Sequence, residues 1–180
     1  MNNPGIFAAA VTAVFLTHGT LPALAAGGHS GGHGDQPDIG QAGSADHVDR
    51  VIRVSMGEMY FSPSDLEVLR GETIRFVIKN EGDFVHEFNL GTTEMHLAHA
   101  EEMMMMVESG VLESDRINHD MMNMTDMAHD DANSVLLESG ESAEILWTFS
   151  GDTALELSCN IPGHRESGML SVMELVAELN

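Results

Sequence analysis

From Val48 onward, apolar residues recur at every second position through most of the chain, a period that suits strands and not helices. Ile74, Phe76 and Ile78 alternate with Arg75, Val77 and Lys79, and Ile145, Trp147 and Phe149 alternate with Leu146 and Thr148. Strand-like runs also span 48–56, 65–69, 84–90, 134–138, 154–159 and 169–176. Gly71, Gly82, Gly140, Gly151 and Gly163 interrupt the runs where turns are needed. Short strands at this spacing, with no helix in most gaps, predict an all-β antiparallel sandwich or barrel. The chain has 180 residues, 43% of them apolar, enough for one domain with a proper core and too many for a disordered polypeptide.

What precedes Val48 has another character. Ile6 to Leu16 is almost entirely apolar but too short to cross a bilayer, and Ala23 and Ala25 are the small residues a signal peptidase prefers. No Lys or Arg precedes the run. The expectation is a signal peptide over 1–25, export, and no membrane span in the mature chain. Residues 26–47 read as a flexible Gly/His linker, and 48–180 as the folded domain. Cleavage after Ala26 instead of Ala25 would leave Gly27-Gly28-His29 at a free amine, a square-planar Cu(II) arrangement. His33 and His47 read as solvated.

Charge and cysteine count narrow the function. With 29 acidic and 7 basic side chains the formal charge is −22, which excludes nucleic acid and anionic lipid as partners. Cys159 is the one cysteine, so no internal disulfide can form. An exported thiol without a partner needs burial or a metal to escape oxidation.

Residues 92–133 break the strand pattern. They hold 9 of the 14 Met, 4 of the 10 His and 10 acidic residues, so they read as a functional insertion with two short helices. Met95, His99 and Met103 fall on one helical face, and Met121, Met124 and Met127 follow a helical spacing. Met103-Met104-Met105-Met106 is continuous, so part of it must face solvent or a partner. Thioethers with a few imidazoles suit Cu(I). Candidates for additional copper are Met95, His96, His99, Met103, Met106, His119, Met121, Met122, Met124, Met127 and His129. The competing reading is that these Met are adaptable packing for helices on the sandwich.

The chemistry concentrates elsewhere. Strand phase places His86 on the same inward face as Phe84, Phe88 and Leu90, and Cys159 on the same face as Leu155 and Leu157. Beyond Cys159 the chain reads Cys159-Asn160-Ile161-Pro162-Gly163-His164-Arg165-Glu166-Ser167-Gly168-Met169, so thiolate, imidazole and thioether come from one loop. With His86 from a distant strand, the set is two imidazoles, one thiolate and a weak axial thioether, that of a type-1 copper centre cycling between Cu(I) and Cu(II). Zinc is the nearest alternative, but thioether is a poor zinc ligand and cupric ion binds more tightly. No nucleophile–base pair stands out, so the chain does not read as an enzyme.

Asn80-Glu81-Gly82-Asp83-Phe84-Val85-His86-Glu87-Phe88, together with Cys159-Asn160-Ile161-Pro162-Gly163-His164 and Gly168-Met169, resembles the cupredoxin family over roughly 48–91 and 134–177. The resemblance implies a Greek-key β-sandwich holding one copper on His86, Cys159, His164 and Met169, with His164 as the electron portal. One departure is Glu87, where many members carry Asn or Ser to tie the ligand loops together. The Met/His insertion is similar to that of the periplasmic copper-tolerance cupredoxins of the CopI type. Two functions follow: periplasmic copper handling with copper ions as cargo, or electron transfer between respiratory partners. In the second, the acidic surface steers toward a basic redox protein. A copper exporter is a further candidate partner. A third reading takes the charge as solubility alone.

Overall fold

The computed structural model describes residues 37–125, 127 and 131–176. The expected signal peptide, the Gly27-Gly28-His29 motif and His129 lie outside the described residues. The elements run β1 (Gln41–Ala42), a 3-10 turn (Ala45–His47), β2 (Arg50–Gly57), β3 (Tyr60–Ser62), β4 (Asp65–Leu69), β5 (Thr73–Asn80), β6 (His86–Gly91), α1 (Thr93–Glu108), α2 (His119–Thr125), β7 (Ser134–Leu137), β8 (Ser142–Thr148), β9 (Leu155–Ser158) and β10 (Leu170–Val176).

Two five-stranded sheets, ordered β1-β8-β5-β2-β3 and β4-β10-β9-β6-β7, pack face to face. The alternation that marks the strands supplies the core: Val54, Met56, Ile74, Phe76 and Ile78 from one sheet, and Leu66, Val68, Phe88, Leu90, Leu155 and Leu157 from the other, are almost fully buried. Phe76 sits at the centre, its ring centroid 5.3 Å from Phe88 and 6.3 Å from Phe149. The all-β sandwich is therefore as expected, with one difference. Two ladders, β2 with β5 and β4 with β10, are parallel, whereas the period alone predicts an antiparallel assembly. Strand direction comes from where connections cross between sheets, which side-chain alternation does not encode.

Two further differences concern strand ends. Part of the expected linker joins the fold: Gln41 and Ala42 pair with β8, Ile39 is buried, and the Trp147 indole donates to the Ile39 carbonyl at 3.0 Å. Phe84, expected inward, is exposed, because β6 begins only at His86 and the bend before it turns Val85 inward instead.

The insertion is helical, as the spacing of its Met and His predicts, but only α2 is short; α1 runs 16 residues. Helix α1 is capped by the Thr92 hydroxyl, which accepts from the Met95 amide at 3.2 Å. It lies over β6 and β9. As a result β6 is buried on both faces, Glu87 and Asn89 on the outer one as well as His86, Phe88 and Leu90 on the inner. Gly91 permits the close approach, since a β-carbon there would stand 3.3 Å from the His96 ring. Of the four consecutive Met, Met103 and Met106 enter the core while Met104 and Met105 face out.

Candidate metal centre

His86, Cys159 and His164 converge at one end of the sandwich, with a ligand atom of each within 4.8 Å of the others. Each is placed by a different local device. His86 opens β6 after a bend held by Asn80, whose Nδ2 donates to the Phe84 and Leu137 carbonyls at 2.7 and 2.9 Å and whose Oδ1 accepts from the Gly82 amide. Cys159 follows directly on β9, fully buried, its amide donating to the Met169 carbonyl at 3.2 Å. His164 rides the turn that Pro162 and Gly163 make; its amide donates to the Ile161 carbonyl at 2.9 Å. Gly163 and Gly168 have φ of +89° and +101°, a region glycine alone enters freely. Arg165 fastens this loop to β9 through Ser158 at 2.9 Å and Glu156 at 2.6 Å.

The electrostatics favour neutral nitrogen and a protected thiol until a cation arrives. Burial, and then the His164 charge, push His86 down to about 4, against a smaller upward pull from Glu58, so its imidazole is neutral at pH 7. Burial lowers His164 too, opposed by Glu166 and Glu58. Burial pushes the Cys159 thiol up to about 12, although the Glu87 amide, 3.3 Å from Sγ, favours the thiolate. Neither ring nitrogen of the wholly buried His86 has a hydrogen-bond partner among the described residues. A buried imidazole without a partner costs free energy unless something else satisfies it. Two imidazoles and a thiolate are the donors a borderline-to-soft transition metal takes, so the residues fit a copper ion. His164 Nδ1 stands 3.4 Å from Cys159 Sγ.

Met169 is fully buried, and its amide donates to the His164 carbonyl at 3.0 Å, so backbone contacts bring it beside both loop ligands. The other sulfur and imidazole candidates divide. Met103 and Met106 are in the core and Met95 packs partly against it. His96 is buried, with Nδ1 3.2 Å from Asn160 Nδ2 and Nε2 3.3 Å from the Glu156 carbonyl. His99 presents Nε2 to Glu87 at 2.8 Å and Nδ1 to Glu102 at 2.9 Å. His119 and Met124 are exposed, and Met121, Met122 and Met127 are half-buried.

Sequence reasoning missed two participants, Glu58 and Asn160, and marked Glu87 only as a departure from the family. Glu58, on the turn after β2, places Oε1 3.9 Å from His86 Nε2 and 2.5 Å from the Asp83 amide. Asn160 and Glu87 form the tie between ligand loops: Glu87 Oε2 accepts from the Asn160 amide at 3.0 Å and from Asn160 Nδ2 at 2.9 Å. Glu87 thus makes the connection that Asn or Ser makes in the resembled family. The position of Asn160 next to Cys159 was the one available signal.

Comparison with known proteins follows the same lines. No protein-family model matches the chain. It is 46% identical over 143 residues to the copper-resistant cuproprotein CopI of Pseudomonas aeruginosa, covering 73% of this chain and 79% of that protein. It is 39% identical over 145 residues to CopI of Rubrivivax gelatinosus (79% of this chain, 77% of that one), and 31% identical over 140 residues to CopI of Vibrio cholerae (77% and 72%). Among solved structures, reduced auracyanin of Roseiflexus castenholzii matches with a TM-score of 0.53 at 19% identity, over 72% of this chain and 98% of that one. Auracyanin B matches with 0.53 at 16% identity, over 77% and 99%. These two likenesses concern the fold.

Proposed function

The chain belongs to the CopI family of copper-resistant cuproproteins, within the cupredoxins, and from that premise we propose that it is an exported copper-handling protein. In this reading one copper ion is held by His86, Cys159 and His164, with Met169 as a fourth and weaker sulfur ligand. The observation that carries it is the convergence of those three side chains, with His86 buried and its ring nitrogens without a hydrogen-bond partner among the described residues. Copper bound there supplies a one-electron couple and a soft acceptor for sulfur.

The protein's own groups do the rest. Cys159 keeps its proton while the site is empty and releases it when a cation takes the sulfur; the Glu87 N–H then faces a thiolate and stabilises it. His86 and His164 need no proton loss at neutral pH. A loop braced by Pro162, Arg165 and the Asn160–Glu87 tie holds the donors still, so little reorganisation accompanies a change of oxidation state. This is binding and electron chemistry, not catalytic turnover.

Residues 1–25 act as a signal peptide in this reading, which places the mature chain in the periplasm, with 26–47 leading into the domain that carries the 92–133 insertion. Additional copper is proposed on the outward side of the insertion, where His119, Met121, Met122, Met124 and Met127 remain accessible. Electron transfer to a basic redox protein is the second reading, favoured by the partial exposure of His164, itself part of the metal centre, and by the net charge of −22. Delivery to a copper exporter is compatible with the first. Copper titration of the parent and of a chain lacking 119–129 separates them: more than one copper, falling to one on deletion, supports handling. One copper in both, with rapid reduction by a basic cytochrome, supports shuttling.

A further inference from the structure

The two histidines that α1 turns toward the sandwich meet the ligand loop at both of its polar anchors. His99 bonds Glu87, Glu87 bonds Asn160, and Asn160 bonds His96, which returns to the same helix one residue past Met95. The chain of contacts is therefore a closed ring from α1 through β6 and the loop after β9 and back. Proton positions follow from the partners. His96 Nε2 faces a carbonyl and must donate, so Nδ1 accepts from Asn160. His99 faces a carboxylate with each nitrogen, so both donate and the ring is an imidazolium.

The ring adjoins the sulfur at two points. The Glu87 amide donates to Cys159 Sγ, and Asn160 is the next residue after Cys159. Glu87 is 1% exposed and accepts five hydrogen bonds, from Asn89, Ser134, His99 and twice from Asn160. A buried carboxylate of this kind needs a cation, and His99 is the one that reaches it among the described residues. The helix carrying both histidines is itself fixed: Met103 and Met106 are in the core, Thr93 bonds Glu156 at 2.9 Å, and the loop after α1 accepts the Val85 amide at the Ser114 carbonyl, 2.8 Å away.

We infer that α1 is a clamp on the copper site, with His96 and His99 as positioning residues that hold Asn160 and Glu87 against Cys159 instead of binding copper themselves. The inference rests on the copper reading for its spectroscopic consequence, and on the protein contacts alone for its energetic one. The insertion is then a device that sets the geometry around the sulfur, and loosening it changes both the copper spectrum and copper retention.

The test uses the full chain with His99→Gln, Glu87→Gln, the double variant, and His96→Gln. Without copper, denaturant unfolding of the first three closes a double-mutant cycle. The expected result is strong non-additivity, the double variant losing less than the two single losses together, since removing both charges leaves neither unpaired. Loaded with Cu(II), His99→Gln and His96→Gln should keep one copper at the centre but shift its visible bands. They should also release copper to a chelator about 10- to 100-fold more readily, the usual consequence of losing an outer hydrogen bond. If His99→Gln does not fold, slower exchange of the Asn160 amide than of neighbouring loop amides in the parent supports the clamp, and exchange as fast as theirs overturns it. Additive losses with unchanged bands and release overturn the inference. So does loss of a separate copper on His99→Gln with the visible spectrum intact, because His99 would then be a ligand. A parent that binds no copper sinks the functional reading and leaves the copper-free cycle to decide the clamp.

Discussion

Helices α1 and α2 come from one insertion and share its vocabulary of Met, His and acidic side chains, yet the fold treats them in opposite ways. α1 turns His96, Met103 and Met106 into the protein and bonds the ring of His99 to two carboxylates. α2 has no buried residue, and Met124 is 84% exposed. The difference lies in what stands opposite. Beneath α1 is a strand whose outer face offers Glu87 and Asn89 and a loop that offers Asn160, so imidazoles find partners and thioethers find a core. Residue type says which metal a side chain could bind; only the surface across from it says whether the side chain is free to do so.

The contrast predicts a graded series of effects. His99→Ala should be among the most damaging substitutions in the insertion, about 3–5 kcal/mol in copper-free unfolding, because it strands a buried carboxylate. Its cost should sit at the low end, since Asn160, Asn89 and Ser134 still donate to Glu87. A loss below about 1 kcal/mol, the worth of an ordinary surface pair, would erase the distinction between the helices. Met106→Ala should cost about 2–5 kcal/mol through the cavity it leaves, measured the same way.

A smaller effect is written in pH. Burial alone would lower His99, but the Glu87 hydrogen bond and charge, with help from Glu102, raise it to about 9 from the ordinary 6.5. A raised histidine contributes stability that is fully present below pH 6.5 and is lost as pH climbs through about 9. Copper-free stability should therefore fall between pH 6.5 and 9 in the parent and fall less in His99→Gln. Equal pH dependence in the two chains would contradict the pairing. Least of all, Met124→Ser should change stability by no more than about 0.5 kcal/mol. Any consequence should appear in the copper count beyond the first ion, read by metal analysis after dialysis.

The same contrast marks what the sequence makes legible. Cys159 and His164 are readable because one short loop carries them and chain spacing alone keeps them together. His86 is readable because strand phase sends it inward with Phe88 and Leu90. The sandwich follows from a period of two. The roles of His96 and His99 are not readable, since they depend on docking a 16-residue helix across strands far away in the chain. Parallel pairing of β2 with β5, and the two-residue strand β1, also escape the pattern, the first because alternation has no direction and the second because two residues carry no period. Glu87 shows a subtler limit: its charge departs from the family's usual residue, and only the imidazolium placed against it explains how a buried carboxylate serves there.

Both helices bear on copper only if a soft cation is held by Cys159 between His86 and His164. The most direct check is a visible absorption spectrum with metal analysis of the copper-loaded parent and of Cys159→Ser. The account predicts an intense thiolate-to-copper band in the parent that vanishes in the variant, along with one tightly held copper. A colourless parent after Cu(II) loading, or a variant with the same band, would contradict it.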